Sequence, residues 1–209
     1  MPVIAVDGPA ASGKGTLGRK LAEQYGFAHL DTGLLYRAVG FRVPDGDPAV
    51  AITAARAFDP GWLGAPQLRD EAVGGLASKI SGIAEVRAAL LAFQRSFAGR
   101  APGAVLDGRD IGTVICPAAD AKLFVTAEVE VRAARRLKEL RGRGVAAIFA
   151  EVLQDLIERD ARDSRRAAAP LAAAEDAFIL DTTHLDADQA FAAAVDHVRT
   201  RIKLGPQLP

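Results

Sequence analysis

Short apolar runs closed by polar residues punctuate the chain: Val3 to Val6 before Asp7, Ala104 to Asp107, Lys122 to Thr126, and Phe178 to Asp181. Their length and β-branched content predict buried strands, and Ala28 to Asp31, just ahead of Thr32, predicts another. Between these runs, apolar residues recur at intervals of three and four. They do so at Leu17, Leu21 and Tyr25; at Val86, Leu90, Phe93 and Phe97; at Val152, Leu153, Leu156 and Ile157; and at Phe191, Val195, Val198 and Ile202. That period belongs to helices with one buried stripe. Strands alternating with helices predict an α/β fold with a parallel sheet and a ligand site at the carboxyl ends of its strands.

Two stretches depart from this rhythm. Val43 to Pro66 is rich in Pro, Gly, Asp and Ala, which predicts turns and a short helical piece inserted between core elements. From Arg132 to Arg166, basic residues gather at Arg132, Arg135, Arg136, Arg141, Arg143, Arg159, Arg162, Arg165 and Arg166. A solvated helical face balanced by Glu and Asp is one explanation of that cluster; an anion site is the other.

Composition narrows the choice. With 209 residues, half of them apolar and a quarter charged, the chain suits one domain with sizeable inserts, expected to run over residues 1–209. Lys plus Arg and Asp plus Glu both total 26, so no overall field draws the chain to a nucleic-acid polymer or a membrane. Cys116 has no disulfide partner, and His29, His184 and His197 are too scattered for a zinc site. The apolar run ending at Val6 falls far short of the ~20 residues of a membrane span, and a soluble protein of the reducing cytoplasm is the expectation.

Chemistry enters directly after the first strand. Gly8, Pro9, Ala10, Ala11, Ser12, Gly13, Lys14, Gly15 and Thr16 form a glycine-rich stretch followed by a helix. Glycines let backbone N–H groups close on phosphate oxygens, the helix start adds partial positive charge, and Lys14 adds a full one. Thr16 is placed to hold Mg²⁺ directly or through water. The strict pattern GxxxxGK[ST] is not met, because Gly15 intervenes before the hydroxyl of Thr16. A rival pattern shares the stretch: Gly13, Gly15 and Gly18 spell GxGxxG, with Asp31 at the distance of a ribose-binding acid. Against a dinucleotide, the fingerprint should begin where the strand ends, and Gly13 comes after Gly8 to Ser12.

Several segments together resemble the bacterial cytidylate kinase family. They are GPAASGKGT from Gly8, LDTGLLYR from Leu30 to Arg37, ASKI and EVR between Ala77 and Arg87, LDGRDIGTV from Leu106 to Val114, and ERDARDSRRAAAPL from Glu158 to Leu171. The resemblance implies a three-layer P-loop kinase fold with a five-stranded parallel sheet, an acceptor-binding insert over residues 38–100 and a helical lid over 141–166. It implies transfer of the γ-phosphate of ATP to CMP or dCMP in pyrimidine metabolism, with Mg²⁺, by a monomer whose partners are small nucleotides. The stretch Val43 to Pro66 is shorter than the acceptor-side insert of longer family members. By the same resemblance Arg37 and Arg109 grip the acceptor phosphate, and Thr32 is counted with them among the substrate-binding residues. Ser78, Arg87, Asp110 and Arg166 match the cytosine contacts, Arg159 and Arg162 approach the phosphates, and Asp163 approaches the sugar.

Elementary chemistry supports those residue types. The second phosphate pKa of a nucleoside monophosphate lies near ~6, so its oxygen is already a nucleophile at neutral pH and needs no side-chain base. The reaction needs charge that holds two repelling phosphates in line, which Lys14, Arg109, Arg159 and Arg162 offer. A carboxylate such as Asp110 accepts from the amino group of cytosine and faces an acceptor in uracil. Asp107 and Asp7 both end core strands and compete for a role at Mg²⁺, with Asp107 favoured. Arg159, Arg162, Asp163 and Arg166, at i, i+3, i+4 and i+7, are expected on one helical face.

Three other functions are open to the sequence. A phosphotransferase with a different acceptor would share the loop. A nucleotide switch would leave the acceptor-side arginines without purpose, and the chain has no NKxD guanine motif. Asp31-Thr32-Gly33 also matches the aspartic-protease triplet, with Asp181-Thr182-Thr183 as its nearest second copy.

Overall fold

The computed structural model describes residues 1–202, and the last seven residues of the expected 1–209 domain lie outside the described residues. Five strands, β1 (Val3–Asp7), β2 (Ala28–Asp31), β3 (Ala104–Gly108), β4 (Ala121–Thr126) and β5 (Phe178–Asp181), form one sheet in the order β2-β3-β1-β4-β5. Every pairing is parallel, with Val3 opposite Ala104 and Ile4 opposite Ala121. All five strands expected from the apolar runs are present.

Alternation along β1 builds the two faces. Ile4 and Val6 point to a core shared with α1 (Lys14–Tyr25) and α8 (Ala187–Arg201), through Leu17, Leu21, Val195 and Val198. Ala5 points to the opposite core, where Leu35 and Val39 of α2 (Gly33–Phe41), Ala51 of α3 (Pro48–Arg56), Ala77 of α4 (Glu71–Ile80) and Leu90 of α5 (Ala84–Ala98) pack. These are the three layers expected. The stretch Val43 to Pro66 holds α3 and a 3₁₀ turn, and Asp47 caps α3 by accepting from Ala49 N–H at 2.8 Å and Val50 N–H at 3.0 Å. Within residues 38–100, α5 belongs to the core layer, because Val86, Leu90 and Phe97 share their cluster with Leu106 and Ile111.

A helical hairpin of α6 (Val129–Gly142) and α7 (Phe149–Ser164) stands above the carboxyl edge of the sheet on its own small core of Ala133, Leu140, Val152 and Leu156 with Ala10. Two sequence expectations change here. The helix α7 stops at Ser164 with Arg165 as its cap, so Arg166 lies beyond the helical face assigned to it. The arginine cluster is also not simply a solvated face. Arg132 is buried, donates to Ala127 O at 2.8 Å and Ala10 O at 3.2 Å, and pairs with Asp160 at 2.7 Å. It fastens the glycine-rich loop to the hairpin.

Strand order disposes of the protease reading. Asp31 ends β2 and Asp181 ends β5, at opposite edges of the sheet. Four strand spacings of ~4.8 Å separate them by roughly 19 Å, too far to share a proton.

Candidate active site

The loop between β1 and α1 is shaped by backbone restraint. At Gly8, φ is +151° and a Cβ would lie 2.0 Å from the carbonyl oxygen of Val125. Only glycine lets the chain leave β1 so close to β4. Gly13 caps α1 in the left-handed region at φ +92°, without any side-chain cap. The first N–H groups of α1 therefore face outward as an anion-binding end. Gly15 and Gly18, which had suggested a dinucleotide fingerprint, lie inside α1 rather than in the turn before it. Gly18 lets α1 pack closely on the strands, since a Cβ there would lie 3.2 Å from His29 Nε2 of β2, while one on Gly15 would make ordinary contact with Asp107 Oδ1 at 3.6 Å.

Above the loop opens a cleft of about 720 Å³, a size suited to small-molecule ligands. Lys14, Thr16, Thr32, Arg37, Ser78 and Arg87 line it, as do Asp107, Arg109, Asp110, Arg159, Arg162, Asp163 and Arg166. Of the loop, Ala10, Ala11, Gly13 and Gly15 also face the cleft, while Gly8, Pro9 and Ser12 do not. Those three act from behind. Gly8 makes the close turn, Pro9 O accepts from Lys14 Nζ at 3.1 Å, and Ser12 is buried. Ten basic side chains and seven carboxylates border the cleft of a chain with no net charge, which makes it a site for anions.

Burial and neighbouring charge tune these groups. Lys14 is pushed down to about 7, first by burial and then by Arg109, against the pull of Asp107 and Asp31. Arg159 is lowered to about 9 by burial and by Arg109, and its Nε has no hydrogen-bond partner among the described residues. Asp163 accepts from Arg109 Nε at 2.8 Å and from Arg166. Burial works against its ionised form, yet Arg109, Arg166 and Arg159 together hold its pKa below the ordinary value.

The two competing strand-end carboxylates separate. Asp7 spends both oxygens on backbone, accepting from Ile111 N–H at 2.8 Å and Gly112 N–H at 2.7 Å, and it does not line the cleft. Asp107 lines the cleft, with Oδ2 against His29 Nε2 at 2.8 Å and Oδ1 turned toward Gly15. Thr32 borders the cleft, and its hydroxyl donates to Asp107 O at 2.8 Å and its N–H to the same oxygen at 3.0 Å. That proton is spent on joining β2 to β3.

At the far wall, Arg37 passes over Gly74, where a Cβ would meet its Nη2 at 2.7 Å, and donates to Leu68 O at 2.8 Å and Asp70 O at 3.2 Å. Arg87 pairs with Asp110 and lies 5.6 Å from the Tyr36 ring. Ser78 Oγ is buried at this wall without a partner among the described residues, a polar atom held ready for a ligand. Arg166 reaches the same wall from past α7, donating to Ser81 Oγ at 2.8 Å.

Sequence reasoning missed a second pocket of about 260 Å³ on the other side of the loop, sharing Gly13 and Thr16 with the cleft. Leu17, Val125, Leu185 and Ala190 give it apolar walls, and Arg135, donating to Thr182 Oγ1 at 2.9 Å and Thr182 O at 2.6 Å, closes one side. The arginine cluster contained the signal, but nothing in spacing alone separates Arg135 from its neighbours.

A phosphate loop at the carboxyl edge of a five-stranded parallel sheet, faced by convergent arginines, defines an ATP-dependent phosphotransferase of the P-loop class. Solved structures share the fold: an uncharacterized Eubacterium ventriosum protein at TM-score 0.58 and 15% identity, covering 96% of this chain and 100% of that one. A sugar kinase from Janibacter sp. follows at TM-score 0.50 and 17% identity, covering 95% of each chain. The cytidylate kinase family profile matches residues 4–200. Cytidylate kinases of Paramagnetospirillum magneticum and Rhodopseudomonas palustris are 58% and 54% identical, over 92% and 98% of this chain and 95% and 99% of theirs. The chain belongs to the cytidylate kinase family.

Proposed function

We propose that the chain transfers the γ-phosphate of ATP to CMP or dCMP, giving CDP or dCDP, and that the two nucleotides meet between the α1 amino end and the Arg37–Arg109 wall. One observation carries this reading: the open helix start with Lys14, and the arginines of four distant segments, border the same cleft as the unpartnered Ser78 hydroxyl and Asp110. The triphosphate lies along the backbone N–H groups of residues 13–16, with its base in the apolar pocket beside Leu17 and Arg135. The acceptor phosphate is gripped by Arg37 and Arg109, whose forked donors suit phosphate oxygens.

The acceptor oxygen is already anionic, so no residue serves as base. Lys14, Arg159 and Arg162 hold the charge that spreads over the transferred group. Arg109 and Arg166 pair with Asp163, which keeps them in the cleft and orients them; Asp163 is assigned to the sugar. Ser78, Arg87 and Asp110 read the cytosine edge. Among the described residues no three His, Cys, Asp or Glu side chains form a metal-binding group. Mg²⁺ binds through phosphates, waters and one or two protein oxygens rather than a protein cage, and Thr16 and Asp107 bring such oxygens to the cleft. Thr16 Oγ and Asp107 Oδ1 would hold it or its waters, and it would neutralise phosphate charge when bound. Residues 38–100 serve as the acceptor side and 141–166 as the lid.

An acceptor panel tests the reading. CMP and dCMP are phosphorylated well above UMP; equal or better use of AMP or shikimate rejects the base assignment. Among the described residues no helix is long and apolar enough to cross a membrane.

A further inference from the structure

Arg109 and Asp110 stand at the start of an uncommon segment. Residues Ile111–Ile115 form a single π-helical turn, with Ile115 N–H donating to Asp110 O at 3.1 Å and Cys116 N–H to Ile111 O at 2.7 Å. So short a helix cannot repay its own nucleation, and π geometry is rare and concentrated near functional sites. The N–H groups at its start and the C=O groups at its end must find partners elsewhere.

Side chains from two distant parts of the chain supply them. At the amino end, both oxygens of Asp7 accept from Ile111 N–H and Gly112 N–H, at 2.8 and 2.7 Å. At the carboxyl end, Arg95 donates through Nε to Ile115 O at 3.1 Å and through Nη2 to Val114 O at 3.2 Å. The signs match the helix ends, with a carboxylate at the donors and a guanidinium at the acceptors. Arg95 rides on α5, the same helix whose Arg87 pairs with Asp110. Neither Asp7 nor Arg95 lines the cleft.

We infer that Arg95, working with Asp7 through this π turn, is a positioning residue that sets where Arg109 and Asp110 stand against the acceptor nucleotide. The inference rests on the reading of Asp110 as a contact of the cytosine. Without Arg95 the Val114 and Ile115 carbonyls lose their anchor, and the turn is free to rewind toward ordinary helical geometry. Rewinding swings the residue at its start. The pocket assigned to the ATP base contains no residue of the turn, so the binding of ATP is expected to be little affected.

Asp7 is buried beneath two N–H groups, so its loss threatens the fold; Arg95 lies on the exposed face of α5 and is the residue to change. Arg95→Met, Arg95→Lys and Asp110→Asn are compared with the parent by KM for CMP, UMP and ATP and by thermal unfolding. Arg95→Met raises KM for CMP about tenfold, short of the roughly 10²-fold that a misplacement of 1 Å can cost. It narrows the preference for CMP over UMP and leaves KM for ATP unchanged, and Arg95→Lys recovers part of the loss through one carbonyl. If Asp110→Asn blurs the preference while Arg95→Met leaves both it and KM for CMP at parent values, the positioning role is wrong and the base reading stands. A parallel rise of KM for ATP also overturns the role. If Asp110→Asn leaves the preference intact, the base reading itself fails, and the inference with it.

Discussion

Lys14→Met removes the one full charge of the loop while keeping the length and apolar stem of the side chain. Lys14 is held by its bond to Pro9 O at 3.1 Å and sits nearly buried among Arg109, Asp107 and Asp31. Unit charges 4 Å apart at an effective dielectric near 20 interact by about 4 kcal/mol. Only the part that grows as the phosphoryl group leaves lowers the barrier. If two-thirds grows, about 2.7 kcal/mol is lost, and at 1.36 kcal/mol per decade this is roughly 10²-fold in kcat. Burial has already pushed the ammonium down to about 7. Replacing it with an uncharged chain relieves that desolvation, so the variant should unfold at the parent temperature or above it. The assay is ADP release at saturating ATP and CMP, beside a thermal melt. A variant that keeps kcat near the parent value, or loses only affinity, refutes the role given to Lys14. A variant that loses kcat only because it melts refutes the electrostatic reasoning.

Three further outcomes follow from the geometry. Asp110→Asn presents a donor as well as an acceptor to the base and should narrow the CMP-over-UMP ratio, read from kcat/KM for each acceptor; an unchanged ratio sends base recognition elsewhere. Gly8→Ala places a Cβ 2.0 Å from Val125 O at φ +151°, which should cost about 3 kcal/mol and roughly 10 °C in Tm. Gly13→Ala, at φ +92° with open space around it, should cost only about 1 kcal/mol; equal melts for the two variants would remove the close-approach argument. ATP affinity should fall as pH rises above 7, because Lys14, lowered to about 7, must take up a proton to face the triphosphate. The limit is about tenfold per pH unit. Titration calorimetry at pH 8 in buffers of different ionisation enthalpy should show proton uptake on ATP binding that Lys14→Met abolishes, and zero uptake in the parent contradicts the shift.

The strands were legible because a parallel sheet covered on both faces writes itself as continuous apolar runs, and two of those runs close on a carboxylate that borders the cleft. Asp31 ends β2 and Asp107 stands one residue before the end of β3, whereas Asp7 ends a run whose carboxylate turns to backbone instead. The phosphate loop was legible despite its missing GK[ST] ending, because a helix that starts without a side-chain cap after glycine needs only Lys14 and its own N–H groups. What spacing could not show depends on contacts between distant segments. Asp7 and Asp107 look alike along the chain; they part only because the π turn presents two N–H groups to one and His29 faces the other. The end of α7 at Ser164 was invisible, since neither glycine nor proline follows at once, and Arg166 kept the right destination from the wrong element. Thr32 reads along the chain as a substrate hydroxyl, and only the fold shows that its proton also joins β2 to β3.

A chain with no net charge gathers so many arginines without repelling itself because the carboxylates inside the cleft are shared. Asp163 faces Arg109 and Arg166 directly and Arg159 electrostatically. Arg159, without a direct carboxylate partner among the described residues, is the guanidinium that burial and like charge lower to about 9. The pairing serves chemistry as well as stability. An arginine anchored on one side by a carboxylate keeps its remaining donors aimed, so phosphate meets a fixed field rather than a flexible chain, and little reorganisation is left for the moment of transfer. The same logic explains why Arg132, equally basic in sequence, supports the loop from behind and does not line the cleft: Ala127, Ala10 and Asp160 take its donors. In this fold an arginine's role is decided by how many of its donors the protein itself consumes.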